Sequence, residues 1–372
     1  MLRVEQTDLG PLVDHHCHGL ILDDLDRASF EGLMNEAAGR SRLGTTFFDS
    51  MLGLAIRKWC APVLGMEPHA SPEDYLVRRQ ELGPEASRLL IAAARIETFL
   101  IDTGIADERL CLPADLAAMT GGKAHQVVRL EALAEELMQN GTAPADFAEI
   151  IEQALRQSNA VAAKSIAGYR VGLDLPPHAP EADALVAALD RLQPSVSGRY
   201  RIADPMINAW LAWTAIKIGM PLQIHVGYGD TDIELRHADP LRLTPFLRAT
   251  EGREVPVLLL HNYPFHRNAS YLAQVFSHVF VDLGLAVHNT GALSQTVIRE
   301  TLELVPFGKL LFSSDAYGLA ELFCLGAELF RHGLSAVLGQ LIKDGEMTRH
   351  DADHAASLIA RDNARRAYGL TL

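Results

Sequence analysis

The chain has 372 residues, of which 48% are hydrophobic, and a formal charge of −14. That length covers two ordinary domains or one large barrel, with apolar residues enough for a sizeable core. The acidic balance argues against nucleic acid and anionic membranes as partners, since both attract basic surfaces. The partner expected is a small-molecule substrate, and a homo-oligomer stays open. The four Cys, at 17, 60, 111 and 324, show no C-x-x-C spacing and fit free thiols in a reducing cytoplasm. The N-terminus lacks a basic-then-apolar signal segment, and no apolar run nears a membrane span, so a cytoplasmic location is expected.

The first strand is predicted over 11–18 and ends at Gly19. Residues 20–96 then read as a mostly helical stretch, with Ser71-Pro72 as a helix start. It is too long for a simple crossover, so it reads as a helical cap inserted after strand one, within a single unit spanning 1–372. From Glu97 onward, strands alternate with helices. Strands are expected at 98–103, 124–130, 160–167, 221–226, 255–261, 278–283 and 309–315. Eight strand signals, most followed by a helix, predict an α/β fold: a (β/α)8 TIM barrel carrying that insertion, with its chemistry at the C-terminal strand ends. No G-x-G-x-x-G turn supports a doubly wound sheet instead.

Polar residues gather at those strand ends. In Val13-Asp14-His15-His16-Cys17-His18, residues two apart share a face, so His16 and His18 point together. Asp14 shares their parity but lies deeper, in a supporting position, while His15 and Cys17 are expected to face the surrounding helices. A His-x-His pair alone is weak: with 15 His in 372 residues, chance supplies about 0.6 of them. Strand four adds Lys164 and exits through Arg170, strand five ends in His225, strand six in His261 and strand eight in Asp315. Ionisable groups at the inner ends of apolar strands need a shared partner, and a divalent metal supplies one. His266 and His288, just after strands six and seven, could face the pocket, although loop His residues are more often solvated. Tyr228, Asp230 and Tyr263 fall on rim loops, and Arg129 and Glu131 are placed to pair with each other.

The order His-x-His, Lys, His, His, Asp resembles the amidohydrolase superfamily. Segments such as KSIAGYRVGL, LLLHNYPFHRNASYLA and LLFSSDA are similar to the amidohydrolase domain that precedes glutamine synthetase in nodulin-like fusions. This branch, "amidohydrolase 2", includes decarboxylases and is related to uronate isomerases. The resemblance implies that His16, His18, His225 and Asp315 bind one ion, Zn²⁺ by default with Mn²⁺ or Fe²⁺ open. It further implies that Asp315 carries the proton and His261 polarises the carbonyl. Lys164 is either a substrate-binding ammonium, a carbamylated bridge between two ions, or a salt-bridge partner of an acid such as Glu131. One ion is favoured. Arg170, with the parity of Lys164, is a candidate carboxylate clamp. The function implied is metal-dependent hydrolysis of an amide or related C–N bond in a small carboxylated molecule. The alternatives are a metal-dependent decarboxylase, more distantly a uronate-type isomerase, and a catalytically silent barrel.

Overall fold

The computed structural model describes residues 9–37 and 43–371. Seven strands form one parallel sheet in sequence order: β1 (Leu12–Cys17), β2 (Ile96–Asp102), β3 (Lys123–Arg129), β4 (Ala162–Ser165), β5 (Leu222–Val226), β6 (Val257–His261) and β7 (Val279–Val281). Helices lie between successive strands, which is how a parallel neighbour is reached. The predicted eighth strand is not a regular ladder strand. Its backbone nevertheless bonds to both sheet edges: the Leu311 N–H donates to Val281 O, the His15 N–H to Phe312 O, and the Asp315 N–H to His16 O. Residues 310–315 thereby join β7 to β1.

Alternation along the strands sorts the core into two clusters. Val257 and Leu259 of β6 face outward into the large cluster under the helices, as do Leu222, Ile224 and Val226 of β5. Leu258, Leu260, Val13, Leu100, Val127, Ala162, Phe280 and Leu311 face inward and pack with Ala364, Ala367 and Tyr368. The final helix, Asn363–Tyr368, therefore plugs the cylinder at the end where the strands begin.

Two places break the alternation, and both are at the site. The β1 register shifts between Asp14 and Cys17. As in a bulge, consecutive residues then reach the same side. His15 is thus not packed outward against helices as the parity predicts. Its ring meets the Tyr368 hydroxyl at 2.8 Å and the Asp282 carboxylate at 2.8 Å, while Cys17 does face the outer core. On β6, strict parity would turn His261 outward with Val257 and Leu259. A left-handed backbone at His261 (φ 71°) and Asn262 (φ 58°) swings it inward instead.

The predicted strand four is also shorter than expected. It stops at Ser165, and Ala167–Arg170 form a helical turn, so Arg170 does not continue the pleat from Lys164. The stretch between β1 and β2 is helical in several pieces, including Pro72–Leu82, which Ser71 caps by accepting from the Asp74 N–H. Tyr75 and Arg79 of that helix bond to buried Glu321 at 2.9 and 2.8 Å. Glu321 lies in the first turn of Ala320–Lys343, a helix long and apolar enough to cross a membrane, but 83% of its most apolar window is buried inside the molecule.

Candidate metal centre

His16, His18 and Asp315 bring one ligand atom each to within 4.8 Å of one another. Nε2 of His16 lies 3.2 Å and Nε2 of His18 3.5 Å from Asp315 Oδ1. Each imidazole is oriented from behind. His16 Nδ1–H donates to Gln223 Oε1 at 2.8 Å, and His18 Nδ1–H to the Asp102 carbonyl at 3.1 Å. That fixes the tautomer and leaves both Nε2 lone pairs facing inward, as ligating histidines require. Gln223 is itself held, donating from Nε2 to His15 O and to the Tyr368 hydroxyl. Asp14 accepts from the N–H and hydroxyl of Ser314, fixing the residue before Asp315.

His225 and His261 complete the polar floor. Their ring centroids are 4.7 Å apart, and His261 lies 5.3 Å from His16. Among the described residues, His225 Nε2 and His261 Nδ1 are buried without a hydrogen-bond partner, although His261 Nδ1 is 3.3 Å from Asp315 Oδ2. A Cβ on Gly284, whose φ is +45°, would stand 2.3 Å from His261 Nδ1, so only glycine lets this ring settle where it does. His225 shares the cavity with the close trio of His16, His18 and Asp315 but lies outside it.

Electrostatics favour the ligating protonation states. Burial, then the charge of Lys164, pushes His16 down to about 4 and His225 well below the ordinary imidazole value. Burial also lowers His261 against the pull of Asp315. Burial alone would raise Asp315. The imidazoles around it, His261 first and then His16 and His18, more than offset it, leaving the carboxyl well below its usual range. The donor set is then neutral imidazole nitrogen plus carboxylate oxygen, with two more buried nitrogens lacking partners. This chemistry suits a divalent transition-metal ion such as zinc.

Lys164 is buried, with Nζ 3.3 Å from His16 Nε2. Burial lowers its pKa to about 8, opposed by Asp102 and Asp315. The proposed salt bridge to Glu131 is absent, because Glu131 accepts from the Ser165 hydroxyl and the Ile166 N–H. Nor does Arg129 pair with Glu131. It binds Asp102 through two nitrogens, at 2.7 and 3.0 Å. Arg170 lines the cavity and pairs with Glu135 at 3.1 Å, while its Nε is buried without a partner.

The cavity over these groups holds about 570 Å³, within the range of small-molecule sites. Leu33 to Ala37 and Leu52, from the stretch between β1 and β2, form part of its wall. His266 turns away to Glu300 and stacks on Tyr263. Both His266 and His288 are buried, not solvated as loop histidines usually are. Residue reasoning missed Gln223, Asp102 and Asp282. Each had a visible signal: Gln223 shares the parity of His225, and the two acids end β2 and follow β7 at the rim where ligands were sought. Asp282 accepts from the His261 N–H, from the Ser313 hydroxyl and from His15.

Fold and site together define a parallel α/β enzyme with its polar centre at the C-terminal strand ends. The chain belongs to the amidohydrolase family, whose model matches residues 13–370. It is 26% identical over 401 aligned positions to Protein fluG of Emericella nidulans, covering 97% of this chain and 46% of that one, so it spans about half the length of this curated relative. A solved structure described as a metal-dependent hydrolase from Lactobacillus casei is 27% identical. It superposes with a TM-score of 0.78 over 98% of this chain and 96% of that one. The uronate isomerase of Thermotoga maritima has the same fold at 14% identity, with a TM-score of 0.64 over 99% and 96% of the two chains.

Proposed function

We propose that the protein is a metal-dependent hydrolase that cleaves an amide or related C–N bond in a small, carboxylated substrate. The observation that carries this reading is the convergence of His16, His18 and Asp315, each held from behind, beneath a small-molecule cavity. These three, with His225 as the further nitrogen, would hold one divalent ion, with zinc the first choice. When bound, the ion supplies Lewis-acid chemistry, polarising a carbonyl and acidifying water.

The chain's own groups account for the proton and the charge. Asp315 Oδ2 would accept a proton from the attacking water and return it to the leaving nitrogen as the C–N bond breaks. Its low pKa keeps it ionised and ready for the first transfer. His261, 3.3 Å from that carboxylate, is placed to steady the developing oxyanion. Lys164, as an unmodified amine, and Arg170 through its partnerless Nε would orient the substrate carboxylate. The helical stretch 20–96 would act as the cap, with Leu33 to Ala37 in the cavity wall.

The test is a screen of small carboxylated amides with the zinc- and manganese-loaded protein, following released amine and released CO₂ separately. Amine release that Asp315→Asn removes supports the hydrolase. CO₂ release without amine replaces it with the decarboxylase.

A further inference from the structure

One buried side chain in the cavity wall has no role in the reaction described above. His288 lies on the short turn Ala286–Thr290 after β7 and is 3% exposed. It lines the same cavity as the metal-centre residues. By strict geometry neither ring nitrogen has a hydrogen-bond partner among the described residues, and the Ser314 backbone makes a looser contact that serves one of them. A buried polar group left unpaired costs about 1–3 kcal/mol, so an imidazole with at least one such atom is poorly explained as packing. The turn itself is anchored. The next residue, Asn289, donates to the Tyr228 hydroxyl at 2.6 Å, and Gly291 lies so close to Met51 that a Cβ would stand 2.6 Å from its carbonyl oxygen. The ring is therefore held in place without being satisfied.

The charges around it also differ from those on the opposite wall. Lys164, Arg129, Arg170 and Arg201 line the cavity from the β3 and β4 side and beyond. At His288 burial drives the pKa down to about 4, and the charge of Asp315 acts against that shift. A neutral imidazole offers one donor and one acceptor, which matches a hydroxyl or a carboxamide and not a carboxylate.

We infer that His288 is a specificity-determining residue that hydrogen-bonds an uncharged polar group, a hydroxyl or carboxamide, on the half of the substrate remote from its carboxylate. The position relative to the substrate carboxylate rests on the hydrolase reading, and the hydrogen bond itself rests on His288. Binding a hydroxyl at a site built to pair it discriminates strongly against the methyl isostere, because the site's own group is then left unpaired.

The experiment compares succinate and glutarate monoamides of ethanolamine with those of propylamine, using the zinc-loaded full chain and its His288→Phe and His288→Gln variants. The wild type is expected to favour the hydroxyl member in kcat/KM by at least about tenfold, mainly through KM. His288→Phe should abolish that preference, and His288→Gln should restore part of it. The melting temperature of His288→Phe should stay level or rise, and its zinc content should not change. Equal use of both amides by the wild type, a preference that survives in His288→Phe, or a fall of several degrees in melting temperature would overturn the inference. If the wild type releases amine from none of them, the hydrolase reading fails separately. The same compounds then serve as ligands against diethyl pyrocarbonate labelling of His288, mapped by peptide mass. Protection by the ethanolamine amides and not by their isosteres sustains the inference. No label at His288, or no difference in protection, overturns it.

Discussion

The two ends of the barrel are built from the same strands and could hardly differ more. Where the strands begin, the interior is Val13, Leu100, Val127, Ala162, Leu258, Phe280 and Leu311, sealed by the helix Asn363–Tyr368. Where they end, it is His16, His18, Lys164, His225, His261 and Asp315, open to a cavity. A belt of hydrogen bonds divides them. The Tyr368 hydroxyl meets His15 and Gln223, His15 continues to Asp282, and Gln223 continues to His16. The contrast teaches that one end contributes stability by excluding water, while the other holds buried nitrogens that lack partners among the described residues. Changes at the two ends should therefore separate stability from function.

The largest effect is expected at the polar end. Asp315→Asn should lower kcat by about a thousandfold or more, within the usual span for a general acid–base group, while circular dichroism and the melting curve stay close to wild type. Near-normal turnover would remove Asp315 as the proton carrier. Asp102→Asn sits at the same end but should act on stability. Breaking a buried ion pair costs about 3–5 kcal/mol, and Arg129 would be left uncompensated. Asp102 is buried, which alone would raise its pKa, yet Arg129 and nearby His18 and Lys164 bring it below the ordinary carboxylate value. Its stabilising share is then complete above about pH 4 and is lost as pH falls through the lower folded-state value. Urea melts across the acid range should show that slope in the wild type and a flatter one in Asp102→Asn.

Much of this division can be read in the residues themselves. Alternation in Leu222-Gln223-Ile224-His225-Val226 announces an inward polar pair, and the paired apolar phases of β6 announce two cores. What alternation could not supply was the local backbone. The register shift in β1 turns His15 inward, and the left-handed φ at His261 reverses its parity. Both depend on contacts from other parts of the chain, Gly284 on the loop after β7 beneath His261 and Asp282, 267 residues on, against His15. Ala160 to Ala167 is β-like in composition and makes Arg170 look like a continuation of the pleat, and nothing local marks the helical turn that follows Ser165. The eighth strand was legible in sequence but joins β7 and β1 without a regular ladder.

Smaller effects sharpen the contrast. Leu258→Ala, in the sealed end, should cost about 2–5 kcal/mol in unfolding free energy and leave metal affinity untouched. A matching loss of metal would mean that the two ends are coupled. Gln223→Leu should do the reverse, weakening metal binding by about 10–100-fold through the freed His16 ring. Competition with a chelator would read this, and unchanged affinity would mean that Gln223 serves the plug alone.

The most direct measurement is elemental analysis of the purified protein after zinc loading and dialysis. The wild type should retain about one divalent ion per chain, in line with a site of this donor set, and His16→Asn/His18→Asn should retain none while still folding. A wild type that holds no ion after loading, or a double variant that holds as much, would contradict the assignment of the metal centre.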